Sequence, residues 1–154
     1  MNEEKIKKSQ EALSLAAEMS EHYYHKPVVV CYSGGKDSDV ILSLAIDTLK
    51  PNQFRVLHAV TTLDSPITNK HVNRVYAELK ERGIQADKHI PDINMWDLIV
   101  KKKTPPTRIA RYCCKTLKEV STPNQVAILG VRGGESTKRR GRDVFGVRGG
   151  IPGS

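Results

Sequence analysis

Cysteine is scarce in this 154-residue chain, which holds three: Cys31, Cys113 and Cys114. Adjacent cysteines rarely pair with each other, and Cys31 sits in an apolar run that reads as a buried strand. A disulfide framework of the secreted kind is therefore not expected. Aromatic residues make up only 5%, which weakens the case for a platform that stacks single-stranded nucleic acid. No apolar run is long enough to cross a bilayer. The first residues, Met1-Asn2-Glu3-Glu4-Lys5, are charged, and no apolar signal region follows them. The expected location is the cytoplasm, with no membrane partner. No internal repeat is evident, because the two Gly-Val-Arg-Gly-Gly copies at 130–134 and 146–150 are too short to be one.

What is present is a polar chain, 38% hydrophobic and 27% charged, long enough to bury one sizeable core. Its net charge is +8, and much of the excess lies in Arg132, Lys138, Arg139, Arg140, Arg142 and Arg148. Such a basic region suits nucleic acid or the anionic part of a nucleotide, and the plain alternative is a solvated tail. The run Lys101-Lys102-Lys103 reads as solvated. A homo-oligomer stays open.

One stretch organises the rest: Cys31-Tyr32-Ser33-Gly34-Gly35-Lys36-Asp37-Ser38. The β-branched run Val28-Val29-Val30 before it predicts a buried strand. After it, Ile41, Leu42, Ala45, Ile46 and Leu49 recur at helical spacing and predict a helix from Val40 to Leu49. A polar, glycine-containing turn between a strand end and a helix start is suited to anions. The first turn of a helix has unpaired N–H groups and the positive end of its dipole, and glycines let the backbone approach closely. Ser33 and Ser38 add hydroxyls and Lys36 adds charge, so the loop is expected to cradle phosphate, pyrophosphate or sulfate. The glycine–lysine spacing excludes a Walker A loop, and the absence of Gly-x-Gly-x-x-Gly excludes the dinucleotide fingerprint.

Along the chain, Glu3 to Tyr24 reads as a helix with Ile6, Leu13, Ala16, Ala17 and Tyr24 on its buried face. Phe54 to Val60 reads as a second strand and Thr61–Pro66 as the loop after it. Ser65 caps the next helix, with Pro66 at its first position. Val72, Val75, Tyr76 and Leu79 give that helix its apolar stripe, and Gly83 stops it. Ile84 to Ile90 is a third strand interrupted by Asp87 and Lys88. Asn94 caps a short helix through Ile99, a further helix is expected over Cys113–Val120, and Gln125 to Leu129 is the last strand. Strands alternating with helices imply a parallel sheet with right-handed crossovers. Ligands bind such sheets at the C-terminal strand ends, so Ser33–Ser38, Thr61–Asp64 and Val131–Arg142 are expected to converge on one site.

Ser33-Gly34-Gly35-Lys36-Asp37-Ser38 resembles the PP-loop of the N-type ATP pyrophosphatases and of their relatives, the adenylyl-sulfate and phosphoadenylyl-sulfate (PAPS) reductases. Three more segments are similar to the PAPS reductase family: Val60–Pro66, Arg111-Tyr112-Cys113-Cys114-Lys115-Thr116-Leu117-Lys118, and Leu129–Arg139 with its Gly-x-Arg-x-x-Glu-Ser pattern. The four segments come in family order and cover most of residues 27–142. The resemblance implies an α/β fold, a parallel-sheet three-layer α/β/α sandwich of the adenine nucleotide α-hydrolase type. Residues 1–142 would form the nucleotide-binding domain and 143–154 a glycine-rich tail, the domain being truncated at its C-terminus.

The resemblance also implies site residues. Ser33, Gly34, Gly35, Lys36, Asp37 and Ser38 would hold the phosphosulfate or pyrophosphate of PAPS, APS or ATP. Thr61, Thr62 and Asp64 would border the adenosine. Arg111, Lys115, Arg132 and Arg139 would neutralise anionic oxygens, as guanidinium forks do well, and Ser136 belongs to the same segment. Two readings stand for Asp37: a ligand for Mg²⁺ on a pyrophosphate, or a helix cap. Glu135 would orient Arg132 or touch a ribose. In iron–sulfur reductases a Cys-Cys pair supplies two cluster ligands and a later Cys-x-x-Cys the others. No cysteine follows Cys114 here, so a [4Fe–4S] cluster is not expected from this chain. The Glu-Cys-Gly segment carrying the catalytic thiol in reductases is also absent, which leaves Cys113 and Cys114 as weak candidate nucleophiles.

Three functions follow as expectations. The first is a PAPS reductase-family protein, served by a thioredoxin-like thiol donor, in sulfate reduction or sulfur transfer. The second is an ATP pyrophosphatase-type adenylating sulfurtransferase acting on nucleic acid, DNA or tRNA. The third is a non-catalytic, truncated nucleotide-binding remnant.

Overall fold

The computed structural model describes residues 2–110, 112, 124–131 and 145. The helix expected over Cys113–Val120, the residues after Val131 expected at the site, and nearly all of the 143–154 tail lie outside the described residues.

Helix α1 spans Glu3–Tyr24, and the Asn2 side chain caps it by accepting from the Glu4 amide at 3.0 Å. Leu13, Ala16, Ala17 and Ser20 are its buried residues. Tyr24, expected on that face, is 40% exposed. The core position near the helix end goes instead to buried Ser20, whose hydroxyl donates to the Lys26 carbonyl at 2.7 Å and turns the chain toward the first strand.

Strand β1 is Val28–Cys31, β2 is Phe54–Ala59, β3 is Gln85–His89 and β4 is Ala127–Ile128. They form one parallel sheet in the order β3-β2-β1-β4, with Val28 beside Phe54, Val30 beside Val56 and Val29 beside Ala127. β3 and β4 are shorter than the sequence suggests. Each is an edge strand paired on one side only, so its ends lack a second ladder to hold them. Helix α2 is Lys36–Thr48, α3 is Pro66–Glu81 and α4 is Met95–Lys102. α2 begins four residues before the apolar run, because extended Gly35 is its N-cap. Val40, where the run starts, is accordingly an exposed residue of its second turn. Ser65 caps α3 by accepting from the Thr68 amide, and Asn94 caps α4 by accepting from the Asp97 amide.

Two strand steps in one direction, β1 to β2 and β2 to β3, place α2 and α3 on one face of the sheet by the right-handed rule. The core agrees: Val28, Val30, Phe54 and Val56 share a cluster with Ala16 and Ala17 of α1, Leu42 and Ala45 of α2, and Val72 and Leu79 of α3. Each buried Val, Leu or Phe side chain contributes about 1.5–3 kcal/mol relative to exposure. The return step from β3 to β4 carries α4 and by the same rule lies over the opposite face, which gives the three-layer order. On that face Arg55 of β2 donates to Asp87 of β3 at 3.2 Å and to Gln125 at 2.8 Å. The buried stem of Arg55 thus tolerates an acidic residue within a strand. Cys31, expected to be buried, is half-buried at the end of β1, and its neighbours in the alternation, Val30 and Tyr32, are the residues turned to the main core. Among the described residues no helix is long and apolar enough to cross a membrane.

Candidate functional site

The sheet ends β1 at Cys31, and the chain turns through Tyr32-Ser33-Gly34-Gly35 into α2. Gly34 has φ +81°, in the left-handed region that disfavours a side chain. A β-carbon there would lie 2.9 Å from Val72 Cγ2 and 3.3 Å from Thr68 Cγ2, both on α3. The loop therefore lies directly on the first turns of α3. Gly35 caps α2 with no side-chain hydrogen bond of its own. The serines brace the turn: Ser38 Oγ donates to the Gly35 carbonyl at 2.8 Å, and Ser33 Oγ donates to Ser38 Oγ at 3.1 Å. Ser33 and Lys36 are exposed, whereas Ser38 is buried. This is a helix N-terminus with its dipole aimed out of the C-terminal edge of the sheet. Asp37 lies one residue into the helix, so of its two expected readings the cap belongs to Gly35 instead.

The loop after β2 stands next to it, because Cys31 and Leu57 are partners across the ladder. Thr61 N donates to Asp64 Oδ2 at 3.3 Å, and Leu63 N donates to Thr61 Oγ1 at 3.4 Å. Thr62 has φ +67°, which costs a β-branched residue of order 1–2 kcal/mol. Its Oγ1 accepts from the Met95 amide at 3.0 Å, so the first N–H of α4 holds the strained turn. From the other side, a β-carbon on Gly130 would meet the Asp37 carbonyl at 3.1 Å and Ile41 Cγ1 at 3.2 Å. The segment leaving β4 therefore passes against the first turns of α2. The anion loop and the start of the post-β4 segment meet there, and the Thr61–Asp64 loop flanks them at the end of the neighbouring strand.

The sequence reading missed four residues behind the loop. Tyr32 is buried, and its hydroxyl donates to Asp39 Oδ1 at 2.6 Å. His71 Nε2 lies 3.0 Å from the same hydroxyl and 3.3 Å from both Asp39 oxygens. Arg74 Nη2 stands 3.1 Å from His71 Nδ1. A guanidinium only donates, which assigns Nδ1 as the acceptor and puts the proton on Nε2. The bonds then run one way, from Arg74 to His71 to Tyr32 to Asp39. Buried His58 of β2 donates from Nδ1 to the Tyr32 carbonyl at 2.8 Å, since a carbonyl can only accept. Burial, then the Asp39 hydrogen bond and charge, push the Tyr32 phenol well above the ordinary tyrosine range. Burial, then the Asp87 charge, do the same to Tyr76, whose ring centroid is 6.5 Å from that of Tyr32. These residues come from β1, β2, α2 and α3, and only the spacing of Thr68, His71, Val72 and Tyr76 along one face of α3 signals them in the sequence.

Among the expected site residues, the structure describes Ser33–Ser38, Thr61, Thr62 and Asp64. Arg111, Cys113, Cys114, Lys115, Arg132, Glu135, Ser136 and Arg139 lie outside the described residues. Among the described residues no group of three or more His, Cys, Asp or Glu side chains could hold a metal ion.

No curated protein matches the chain. Among solved structures it is similar to the NH3-dependent NAD synthetase from Campylobacter jejuni subsp. jejuni NCTC 11168, solved in complex with the nitrate ion, with 22% identity and a TM-score of 0.47. That likeness covers 71% of this chain and 44% of the synthetase, so the chain spans less than half the length of that protein. The family model of the phosphoadenosine phosphosulfate reductase domain matches residues 27–153. The matched span runs from the strand that feeds the anion loop through the segment that returns to α2 after β4, and the chain belongs to the phosphoadenosine phosphosulfate reductase domain family.

Proposed function

We propose that this chain binds an adenine nucleotide, with the anionic group of the nucleotide on Ser33–Ser38. The observation that carries the reading is the start of α2, a helix N-terminus without a side-chain cap behind a left-handed glycine at the end of a central strand. Backbone N–H groups and the helix dipole favour a tetrahedral anion there. Lys36 adds a positive charge, and the Ser33 hydroxyl offers a further donor. The nucleoside lies toward Thr61, Thr62 and Asp64, and Arg111, Lys115, Arg132 and Arg139 supply further positive charge.

The family points to phosphoadenylyl sulfate as substrate, or adenylyl sulfate as its simpler form. In that reaction a thiolate attacks the sulfate sulfur and the S–O bond to the nucleotide breaks. The nucleotide phosphate leaves with the bonding pair, and a second thiol, from a thioredoxin-like donor, then releases sulfite as a disulfide forms. The loop N–H groups and arginines stabilise the charge that grows on the leaving phosphate. A [4Fe–4S] cluster does not fit, since the three cysteines of this chain fall short of four thiolates.

A second reading is an adenylating sulfurtransferase that splits ATP and modifies nucleic acid. One observation favours it: Asp37 and Asp39 both lie at the start of α2, where they oppose a bare anion but suit one that carries a divalent cation. Asp37 would hold Mg²⁺ there together with phosphate oxygens and water.

Product analysis separates the readings. Purified protein is incubated with phosphoadenylyl sulfate plus reduced thioredoxin, and separately with Mg–ATP. Sulfite with adenosine bisphosphate supports the first reading, and AMP with pyrophosphate supports the second. Loss of neither substrate, with both bound, leaves a nucleotide-binding protein without this chemistry.

A further inference from the structure

Tyr32 is held at both ends. Its carbonyl accepts from His58 of β2, and its hydroxyl is gripped between Asp39 of α2 and His71 of α3. The next residue is Ser33, the first of the anion loop, and Asp39 directly follows Ser38, the last. The two flanks of the loop are thereby joined to each other through one phenol, and His71 joins both to α3. Gly34, between them, lies against Thr68 and Val72 of the same helix face. A loop that binds an anion with backbone N–H groups needs those groups fixed before the ligand arrives, because ordering them on binding subtracts from affinity.

We propose that Tyr32, Asp39 and His71 form a clasp that presets the anion loop, which makes them positioning residues of the nucleotide site. The inference rests on the nucleotide reading above. None of the three side chains is assigned contact with the ligand; they act through the backbone of Ser33–Ser38. The groups facing the clasp are Arg74, which donates to His71, and Tyr76, whose ring packs near Tyr32.

The test uses the full chain, with affinity for Mg–ATP and for phosphoadenylyl sulfate read by calorimetry. Two variants break the clasp: Tyr32→Phe removes the hydroxyl and keeps the ring, and His71→Leu keeps the bulk and removes both hydrogen bonds. His71→Gln restores them, since its amide donates to Tyr32 while its oxygen accepts from Arg74. Tyr76→Phe deletes a comparable half-buried hydroxyl away from the loop and reports a purely structural loss. The first two are expected to weaken binding about tenfold. His71→Gln is expected to stay within about twofold of wild type and Tyr76→Phe to bind like wild type. Wild-type affinity in Tyr32→Phe and His71→Leu overturns the clasp.

If wild type binds neither nucleotide, the nucleotide reading falls and the clasp is judged on the free protein. The Tyr32 and Asp39 amides, bonded to the Leu57 and Gly35 carbonyls at 2.9 Å each, report its order by hydrogen exchange. Faster exchange in His71→Leu but not in His71→Gln supports it, and equal exchange in all three proteins overturns it.

Discussion

Gly34 and Val72 stand so close that a β-carbon on the glycine would lie 2.9 Å from the valine Cγ2 methyl. Val72 is 1% exposed and β-branched, so it has no room to turn away. The backbone of the anion loop is thus pressed onto α3, and φ +81° at Gly34 completes the fit. Gly34→Ala is expected to cost about 1–3 kcal/mol from strain and overpacking together. Urea unfolding checks the stability loss, and nucleotide affinity is expected to fall with it, because the N–H groups of the loop move.

Gly130 and Gly83 make a matched pair. A β-carbon on Gly130 meets the Asp37 carbonyl at 3.1 Å, whereas one on Gly83, at φ +73°, meets nothing within 4 Å. Gly83→Ala is expected to lose only about 1 kcal/mol, the strain of the left-handed backbone, and to leave nucleotide affinity unchanged. Gly130→Ala is expected to push on the first turn of α2 and to weaken nucleotide binding. Equal affinities in the two variants would contradict the contact between the post-β4 segment and the loop helix.

Tyr32 and Tyr76 are both pushed above the ordinary tyrosine range, mainly by burial. A tyrosine whose folded value is raised holds its proton longer in the native state. Stability is therefore complete below about pH 10, the unfolded value, and declines as pH rises beyond it. Among the five tyrosines, exposed Tyr23 and Tyr24 are expected to ionise before Tyr32 and Tyr76. Ultraviolet difference titration of wild type, Tyr32→Phe and Tyr76→Phe assigns the late steps. Early ionisation of either buried phenol in folded protein would refute the assignment.

Arg55 bridges Asp87 and Gln125 across the second face of the sheet. Arg55→Leu keeps apolar volume but strands both partners, and a loss of about 1–3 kcal/mol is expected by denaturant unfolding. Arg55→Leu combined with Asp87→Leu is expected to cost less than the sum of the single changes, because the second substitution removes an already stranded carboxylate.

Much of the fold was legible because local signals agreed with the topology. Asn94 and the Ser65-Pro66 pair act as the helix starts they suggest, and the parallel sheet follows from strands alternating with helices. Tyr24 was misplaced because helical periodicity does not say where a helix leaves the core. Asp87 weakened the reading of β3 because its partner, Arg55, is 32 residues away. The anion loop was legible as a compact motif in a strand–loop–helix setting. The clasp was not, since Tyr32, Asp39, His58 and His71 are ordinary residues until four elements bring them together. The counterparts in Arg111–Lys115 and Arg132–Arg139 rest on the sequence pattern and the family match.

The central claim is that Ser33–Ser38 binds the anionic end of an adenine nucleotide. The most direct measurement is calorimetric titration of wild type and Ser33→Ala/Lys36→Ala with phosphoadenylyl sulfate and with Mg–ATP. Saturable one-site binding of at least one nucleotide by wild type, weakened at least about tenfold in the double variant, is the predicted result. Equal binding by a folded double variant, or no binding of either nucleotide by folded wild type, would contradict it.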